Sequence, residues 1–235
     1  MDSTGAVHQS ASPYQFKPGP YSSHSLLLEH FPPPGEGRRV LDVGGGEGFL
    51  SRILKERGYQ VVCLAAPGSV AAAFPEGVEV READLDLDQP QFSAPFSFIV
   101  CGDVLEHLRA PQTTLRWLGE QLAPGGQLVA SLPNSGHWYF RLTVLSGRFP
   151  ADDRGLFDRT HLHFYTWDGW RELFQAAGLD ITSAAPTTVP FGLAWGAGSS
   201  HIAVRALERL SYELGRLWKT MFAYQLVVLA RPGGK

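Results

Sequence analysis

Cysteine is scarce: the chain of 235 residues holds two, Cys63 and Cys101, both inside apolar runs. Two such residues give neither a disulfide framework nor a metal-ligand cysteine pattern, and no metal site is expected. Buried reduced thiols are the expectation, and with them a cytoplasmic setting. Excess positive charge is missing too. Lys and Arg number 20 against 23 Asp and Glu, a formal net charge of -3. That argues against a nucleic-acid binder working through a broad basic face. No apolar run is long enough to span a bilayer, so no integral membrane segment is expected. The first residues lack the basic, apolar and small-residue order of a secretory signal. No internal repeat is visible. What remains is 44% hydrophobic and 18% charged residues. This is an ordinary globular composition, at a length that favours one domain with a sizeable core.

Residues 1–20 are rich in Ser, Pro, Gly and Gln and read as a loose arm. Tyr14, Phe16 and Tyr21 give that arm two readings: it folds back over a site, or it is a tail touching the body. Ser23–His30 reads as a short helix, broken by Phe31-Pro32-Pro33-Pro34-Gly35. Strands and helices then alternate. Val40–Val43 is a strand and Gly48–Arg57 a helix closed by Gly58. Gln60–Ala65 is a strand, Ser69–Phe74 a short helix, and Val78–Arg81 and Phe96–Cys101 are strands. Gln112–Leu122 is a helix stopped by Ala123-Pro124-Gly125-Gly126, and Gln127–Leu132 the fifth strand. The alternation predicts an α/β fold with a parallel sheet, right-handed crossovers and helices on both faces.

Regularity lapses over 134–165, an irregular lid or binding loop after the fifth strand. Thr166 then caps a helix to Ala177, and Leu179–Val189 is a strand. Residues 190–198, with Phe191 and Trp195, read as a flexible loop. Ser200–Phe222 is a long helix with Ile202, Leu207, Leu210, Leu214, Leu217 and Met221 at helical spacing. Core packing on the sheet is its expected role, against a dimer face or a membrane-surface contact. Tyr224–Ala230 is the last strand and suits antiparallel pairing at an edge.

The organising stretch is Val40-Leu41-Asp42-Val43-Gly44-Gly45-Gly46-Glu47-Gly48. Its glycines let a ligand lie against the backbone, and the helix that follows offers free N–H groups and a positive dipole end. A glycine-rich turn after a first strand is a weak signal alone. The spacing differs from the dinucleotide G-x-G-x-x-G. A carboxylate at Asp42 disfavours a pyrophosphate and favours a ligand with ammonium and sulfonium charges. A nicotinamide oxidoreductase is disfavoured accordingly.

With Ala83-Asp84-Leu85, Phe98–Leu108 and Leu122-Ala123-Pro124-Gly125-Gly126 in order behind it, this stretch resembles the class I S-adenosylmethionine-dependent methyltransferases. The resemblance runs from residue 38 to 232. Val104-Leu105-Glu106-His107-Leu108 is similar to the fourth-strand motif of the ubiquinone-biosynthesis-like branch. Leu156–Tyr165 looks like a narrower group of small-molecule methyltransferases. The resemblance implies a Rossmann-like seven-stranded sheet with an antiparallel last strand. The chain therefore divides into an arm and short helix over 1–37 and, on the resemblance, a methyltransferase domain over 38–235 that carries the irregular segment 134–165 as its lid. S-adenosyl-L-methionine is the implied cofactor. Its implied contacts are Tyr21 in the arm; Asp42, Gly44, Gly45, Gly46 and Gly48 at the first turn; Ala65 after the second strand; Asp84 and Leu85 at the adenine; and Asp103 after the fourth strand.

One position departs from the pattern. The family usually sets an acid at the end of the second strand to accept from two ribose hydroxyls. Ala65 stands there and cannot accept. Another residue replaces the acid, the cofactor binds weakly, or the domain has lost catalysis and serves as a non-catalytic binding or scaffold subunit.

Methyl transfer is an in-line displacement, helped by a base when oxygen is the nucleophile. His107 and His161 are the catalytic candidates, with His137 and His163 behind them. Each has a bland alternative: His107 closing a turn, and His161 and His163 pinning the lid with Arg159. Asn134 reads as a substrate donor or a turn residue. Trp138, Tyr139, Phe149, Phe157, Phe164, Tyr165, Phe191 and Trp195 suit an apolar pocket or a sealed loop. The expected partner is a small-molecule acceptor, methylated at oxygen, with a homodimer as the expected assembly if the long helix is a dimer face.

Overall fold

A computed structural model describes residues 19–70, 74–189 and 202–234. The strands are β1 Arg39–Val43, β2 Gln60–Ala65, β3 Glu79–Glu82, β4 Phe96–Gly102, β5 Leu122–Pro133, β6 Leu179–Pro186 and β7 Gln225–Pro232. They form one sheet in the order β3-β2-β1-β4-β5-β7-β6. β1 to β5 pair in parallel, whereas β7 runs antiparallel to both β5 and β6. The antiparallel last strand is therefore present. Its expected edge position is not, because β6 takes the edge and β7 fills the gap beside β5.

The helices are α1 Ser23–Glu29, α2 Phe49–Glu56, α3 Pro111–Glu120, α4 Trp138–Leu145, α5 Trp167–Ala176, α6 Ile202–Leu217 and α7 Lys219–Phe222. Alternate strand residues feed two cores, since successive side chains point to opposite faces. Val40, Val61, Phe98 and Val100 pack with Leu26, Leu27 and Phe31 around α1 and with Leu50 and Leu54 of α2. Leu41, Val62, Ile99 and Cys101 pack with Leu115 and Leu118 of α3 and with Trp170 and Phe174 of α5. Both cysteines are buried and free. Burial first, then the Asp42 carboxyl, pushes the Cys63 thiol up to about 12.

Several expected bounds move. β5 begins at Leu122, where a helix end is expected: Phe96 pairs with Leu122 and Phe98 with Gln127, so Ala123–Gly126 bulges out of the strand. The lid is not wholly irregular, for Trp138–Leu145 is helical, with the His137 imidazole accepting from the Tyr139 N–H. β6 stops at Pro186, short of Val189. The long helix breaks at Trp218, whose φ of -140° and ψ of 82° are not helical. Its apolar stripe is not core. Ile202 is 83% exposed and Leu217 84%, while Val204 and Gly215 are the buried residues of α6. The reason is position: α6 lies by the edge strand β6, where Gly215 abuts Pro186. Part of the expected Ser69–Phe74 helix, the 190–198 loop and residues 1–18 lie outside the described residues. No helix among the described residues is long and apolar enough to cross a membrane.

Candidate active site

The parallel strands end on one side of the sheet, where the turns after β1, β2, β3 and β4 enclose a cleft of about 790 Å³. Asp42 lies buried beneath the glycine turn and accepts from the Ser51 hydroxyl of α2 at 2.6 Å. Burial raises its pKa to about 6, and the Ser51 hydrogen bonds oppose the rise. The glycines are required by space. A Cβ at Gly45 would stand 2.5 Å from Asp42 Oδ2, and one at Gly46 2.7 Å from the Ser69 carbonyl oxygen. A side chain at Gly44, which has φ +80°, would run into Val104. Gly48, at φ +71°, opens α2 with no side-chain cap, and its own N–H donates to Gly45 O at 2.7 Å.

Ala65 lines the cleft together with Ala66, Ser69 and Glu47. The Ser69 hydroxyl donates to Ala66 O at 2.7 Å and folds this turn over the glycines. Glu82, paired with Ala65 across β3, is turned to the Gly68 N–H instead. Beyond it, Asp84 and Leu85 line the cleft. Asp84 is exposed, and its Oδ1 accepts from the Asp86 N–H at 3.0 Å. Asp103 takes a left-handed φ of +54° after β4, an uncommon conformation that the surroundings must hold. They do so through its carboxylate, which accepts from Ser131 Oγ at 2.6 Å and from Gln225 Nε2 at 3.0 Å.

The other end of the cleft holds Glu106, His107, Asp158, Thr160, His161 and Tyr224. The His107 and His161 rings meet edge to face at 4.8 Å. His161 Nε2 lies 3.8 Å from Glu106 Oε1, with side chains 6% and 1% exposed. Burial, then the neighbouring His107, pushes the His161 pKa down to about 4 against the pull of Asp158 and Asp103. The ring is neutral near pH 7. The lid is tied here by its backbone, since the Leu162 and His163 N–H groups both donate to Glu106 O.

The remaining candidates lie elsewhere. Tyr21 stacks on Tyr212 at 4.4 Å and does not line the cleft. His163 stacks on Tyr165, so the two alternating histidines part company. Arg159 pairs with Asp153 at 2.7 Å and serves the lid's own turn. Asn134 is buried, donating to three carbonyls around α7 and accepting from the Gly136 N–H. Phe140, Phe149, Phe157 and Phe164 pack on one another, with Phe140 and Phe157 stacked at 4.5 Å. These rings seal the lid and do not line the cleft. Phe191 and Trp195 lie outside the described residues. Glu47, Ser69, Glu106, Thr160 and Tyr224 were not singled out as site residues. Glu47, Glu106 and Thr160 lie inside the glycine motif, the fourth-strand motif and the Leu156–Tyr165 run, whereas Ser69 and Tyr224 carry no motif signal.

A family model described as a methyltransferase domain matches residues 18–184. A ubiquinone biosynthesis O-methyltransferase of Xylella fastidiosa is 34% identical over 126 residues, covering 49% of this chain and 50% of that protein. One from Cereibacter sphaeroides is 30% identical over 160 residues, covering 63% of each. The chain thus spans about half to just under two thirds of the length of these curated relatives. Among solved structures, an S-adenosylmethionine-dependent methyltransferase from Mesorhizobium loti aligns with a TM-score of 0.59 at 22% identity, covering 89% of this chain and 98% of that one. It shares the fold. With the glycine turn, Asp84 and Asp103 set around one cleft, the chain belongs to the methyltransferase domain family, among the class I proteins that use S-adenosylmethionine.

Proposed function

We propose that the chain transfers a methyl group from S-adenosylmethionine to a hydroxyl of a small-molecule acceptor. The observation that carries this is the continuity of one cleft, from the glycine turn to the Glu106, His107 and His161 side chains. The methionine end lies against Gly44–Gly48, with Asp42 as counter-charge to the ammonium. The ribose lies near Ala65, where Ser69 and Glu47 are the polar groups at hand. Adenine lies by Asp84 and Leu85, and the sulfonium by Asp103. The acceptor enters beneath the lid segment 134–165. Its O–H loses a proton toward the histidine end, its oxygen forms the new O–CH3 bond, and the S–CH3 bond breaks to leave a neutral thioether. Holding oxygen, carbon and sulfur in line supplies much of the rate, and deprotonation supplies the nucleophile. The relatives' name, ubiquinone biosynthesis O-methyltransferase, supports oxygen as the methylated atom.

Calorimetry with S-adenosylhomocysteine tests the cofactor half, and no binding at millimolar concentration would refute it. Label transfer from methyl-labelled cofactor to a panel of phenols and other alcohols tests the acceptor half. Methylation at nitrogen or carbon alone would overturn the choice of oxygen. Ala65 also favours a second reading, a non-catalytic binding subunit, and turnover of the methyl donor with any acceptor sinks it. We assign the enzyme to the cytoplasm, in keeping with its two buried free thiols, and the exposed stripe of α6 to a homodimer contact. Light scattering over a concentration series tests the dimer.

A further inference from the structure

The ribose of the cofactor carries two hydroxyls, and a hydroxyl taken into a cleft needs an acceptor for its proton. In the pose proposed above, both hydroxyls lie by the end of β2. Ala65 stands there, buried, with a methyl group that accepts nothing. Ala66 beside it does no better. Among the described residues, the polar side chains that line this stretch of the cleft are those of Glu47 and Ser69. Glu82, the partner of Ala65 on β3, is outside the lining, and its Oε1 accepts from the Gly68 N–H at 3.2 Å.

Ser69 is built as an acceptor. Its N–H and its hydroxyl both donate to the Ala66 carbonyl, at 3.0 and 2.7 Å. A serine hydroxyl has one proton, and this bond uses it, so the oxygen has lone pairs left to offer. The same two bonds close the turn Ala66-Pro67-Gly68-Ser69 and hold the hydroxyl in place. The glycine turn leaves room for it. Ser69 O and Oγ lie 2.7 and 2.9 Å from where a Cβ at Gly46 would stand. Gly46 thus lets the turn after β2 close on the turn after β1. Glu47 is the weaker claimant. It belongs to the glycine turn, against which the methionine end lies, and that end brings a carboxylate of its own. Like charges set close together repel.

We propose that Ser69 Oγ accepts from one ribose hydroxyl of S-adenosylmethionine, where Ala65 offers no acceptor. A single neutral acceptor makes the site read one of the two hydroxyls and ignore the other. One neutral hydrogen bond corresponds to about a three- to tenfold preference in affinity. The assignment rests on the methyltransferase reading and on its placing of the ribose.

Calorimetry tests it by comparing S-adenosylhomocysteine with its two monodeoxy analogues, each lacking one ribose hydroxyl. The proteins are the full-length wild type, Ser69→Ala, Ser69→Thr and Glu47→Gln. Ser69 is exposed, so its variants are expected to fold. Wild type should bind one analogue about three- to tenfold more weakly than the parent and the other within about twofold. Ser69→Ala should bind the parent and both analogues alike, at the wild type's affinity for the analogue that lacks the hydroxyl being read. Ser69→Thr keeps a hydroxyl and should keep the preference, as should Glu47→Gln. A uniform fall of all three affinities in Ser69→Ala would mark a purely structural role and overturn the assignment. So would a wild type indifferent to both hydroxyls, or a preference that survives in Ser69→Ala. Loss of the preference in Glu47→Gln alone overturns it too and moves the acceptor to Glu47. In each of these cases the bound S-adenosylhomocysteine leaves the proposed function standing, whereas no binding to wild type refutes that function itself.

Discussion

With Asp42 as the proposed counter-charge to the cofactor's ammonium, cofactor binding should depend on pH, and the burial of Asp42 sets the size of the effect. In the ligand-free protein its carboxyl titrates at about 6, against an ordinary 3.8 in the unfolded chain. The native state therefore holds a proton between those values that the unfolded state has released. A raised acid contributes stability that is whole below the unfolded pKa and is lost as pH rises through the folded one. At about 1.4 kcal/mol for each pH unit, the gap is worth about 3 kcal/mol. Asp42→Asn removes the ionisation but keeps an oxygen to accept from Ser51 Oγ. Urea unfolding of both proteins between pH 4.5 and 7.5 measures the difference. The stability of the variant relative to wild type should climb by about 2 kcal/mol up to pH 6 and then level. On the proposed pairing of its ammonium with the carboxylate, binding of S-adenosylhomocysteine should follow the ionised form. Wild-type affinity should rise up to about tenfold per pH unit below 6, then flatten, while the variant shows little slope. Parallel stability curves for the two proteins would refute the buried-carboxylate argument. A pH-independent affinity in wild type would refute the pairing with the ammonium.

Three further outcomes follow from named contacts. Gly46→Ala puts a Cβ 2.7 Å from the Ser69 carbonyl oxygen, so one of the two turns must move. S-adenosylhomocysteine affinity should fall at least tenfold, about 1.4 kcal/mol by calorimetry, and unchanged affinity would remove that turn from the cofactor site. Asp84→Ala should weaken the same ligand by about one to two decades through loss of a charged hydrogen bond, with stability changed by less than about 1 kcal/mol at this exposed site. Equal affinity would mean that the adenine lies elsewhere. Trp170 is fully buried and its indole N–H donates to Pro133 O at 2.7 Å. Trp170→Phe should cost about 2–4 kcal/mol in urea unfolding, from the orphaned carbonyl and the lost volume. A loss under about 0.5 kcal/mol would show that the carbonyl finds another partner.

The sheet was legible because burial on both faces leaves a direct mark. Val40-Leu41 and Phe98-Ile99 supply both cores in turn, which only a strand covered on each side requires. α6 shows where that logic stops. Its spacing reports an apolar stripe, yet a stripe does not say what lies against it. The neighbour at Gly215 is Pro186 of the edge strand β6, and Val204 and Gly215 are the buried residues of the helix. α4 failed differently: Trp138-Tyr139-Phe140-Arg141-Leu142 is apolar nearly all round, so no period of 3.6 stood out. The site divides along the same line. The glycine turn, Asp84-Leu85 and Asp103 are readable as cleft residues because each is a local run at a strand end. The acceptor end is not local. Glu106 and His107 belong to one motif, and His161 reaches them because two lid N–H groups donate to Glu106 O. A backbone tie of that kind leaves no side-chain pattern. His161 and His163 looked equivalent in sequence, each one step from Leu162. The tie rotates one into the cleft and the other against Tyr165. Changing the lid's length between Asp158 and Leu162 should therefore disturb the acceptor end and spare the cofactor end. The turns proposed to hold the cofactor belong to the parallel sheet, whereas His161 is held by that short strap.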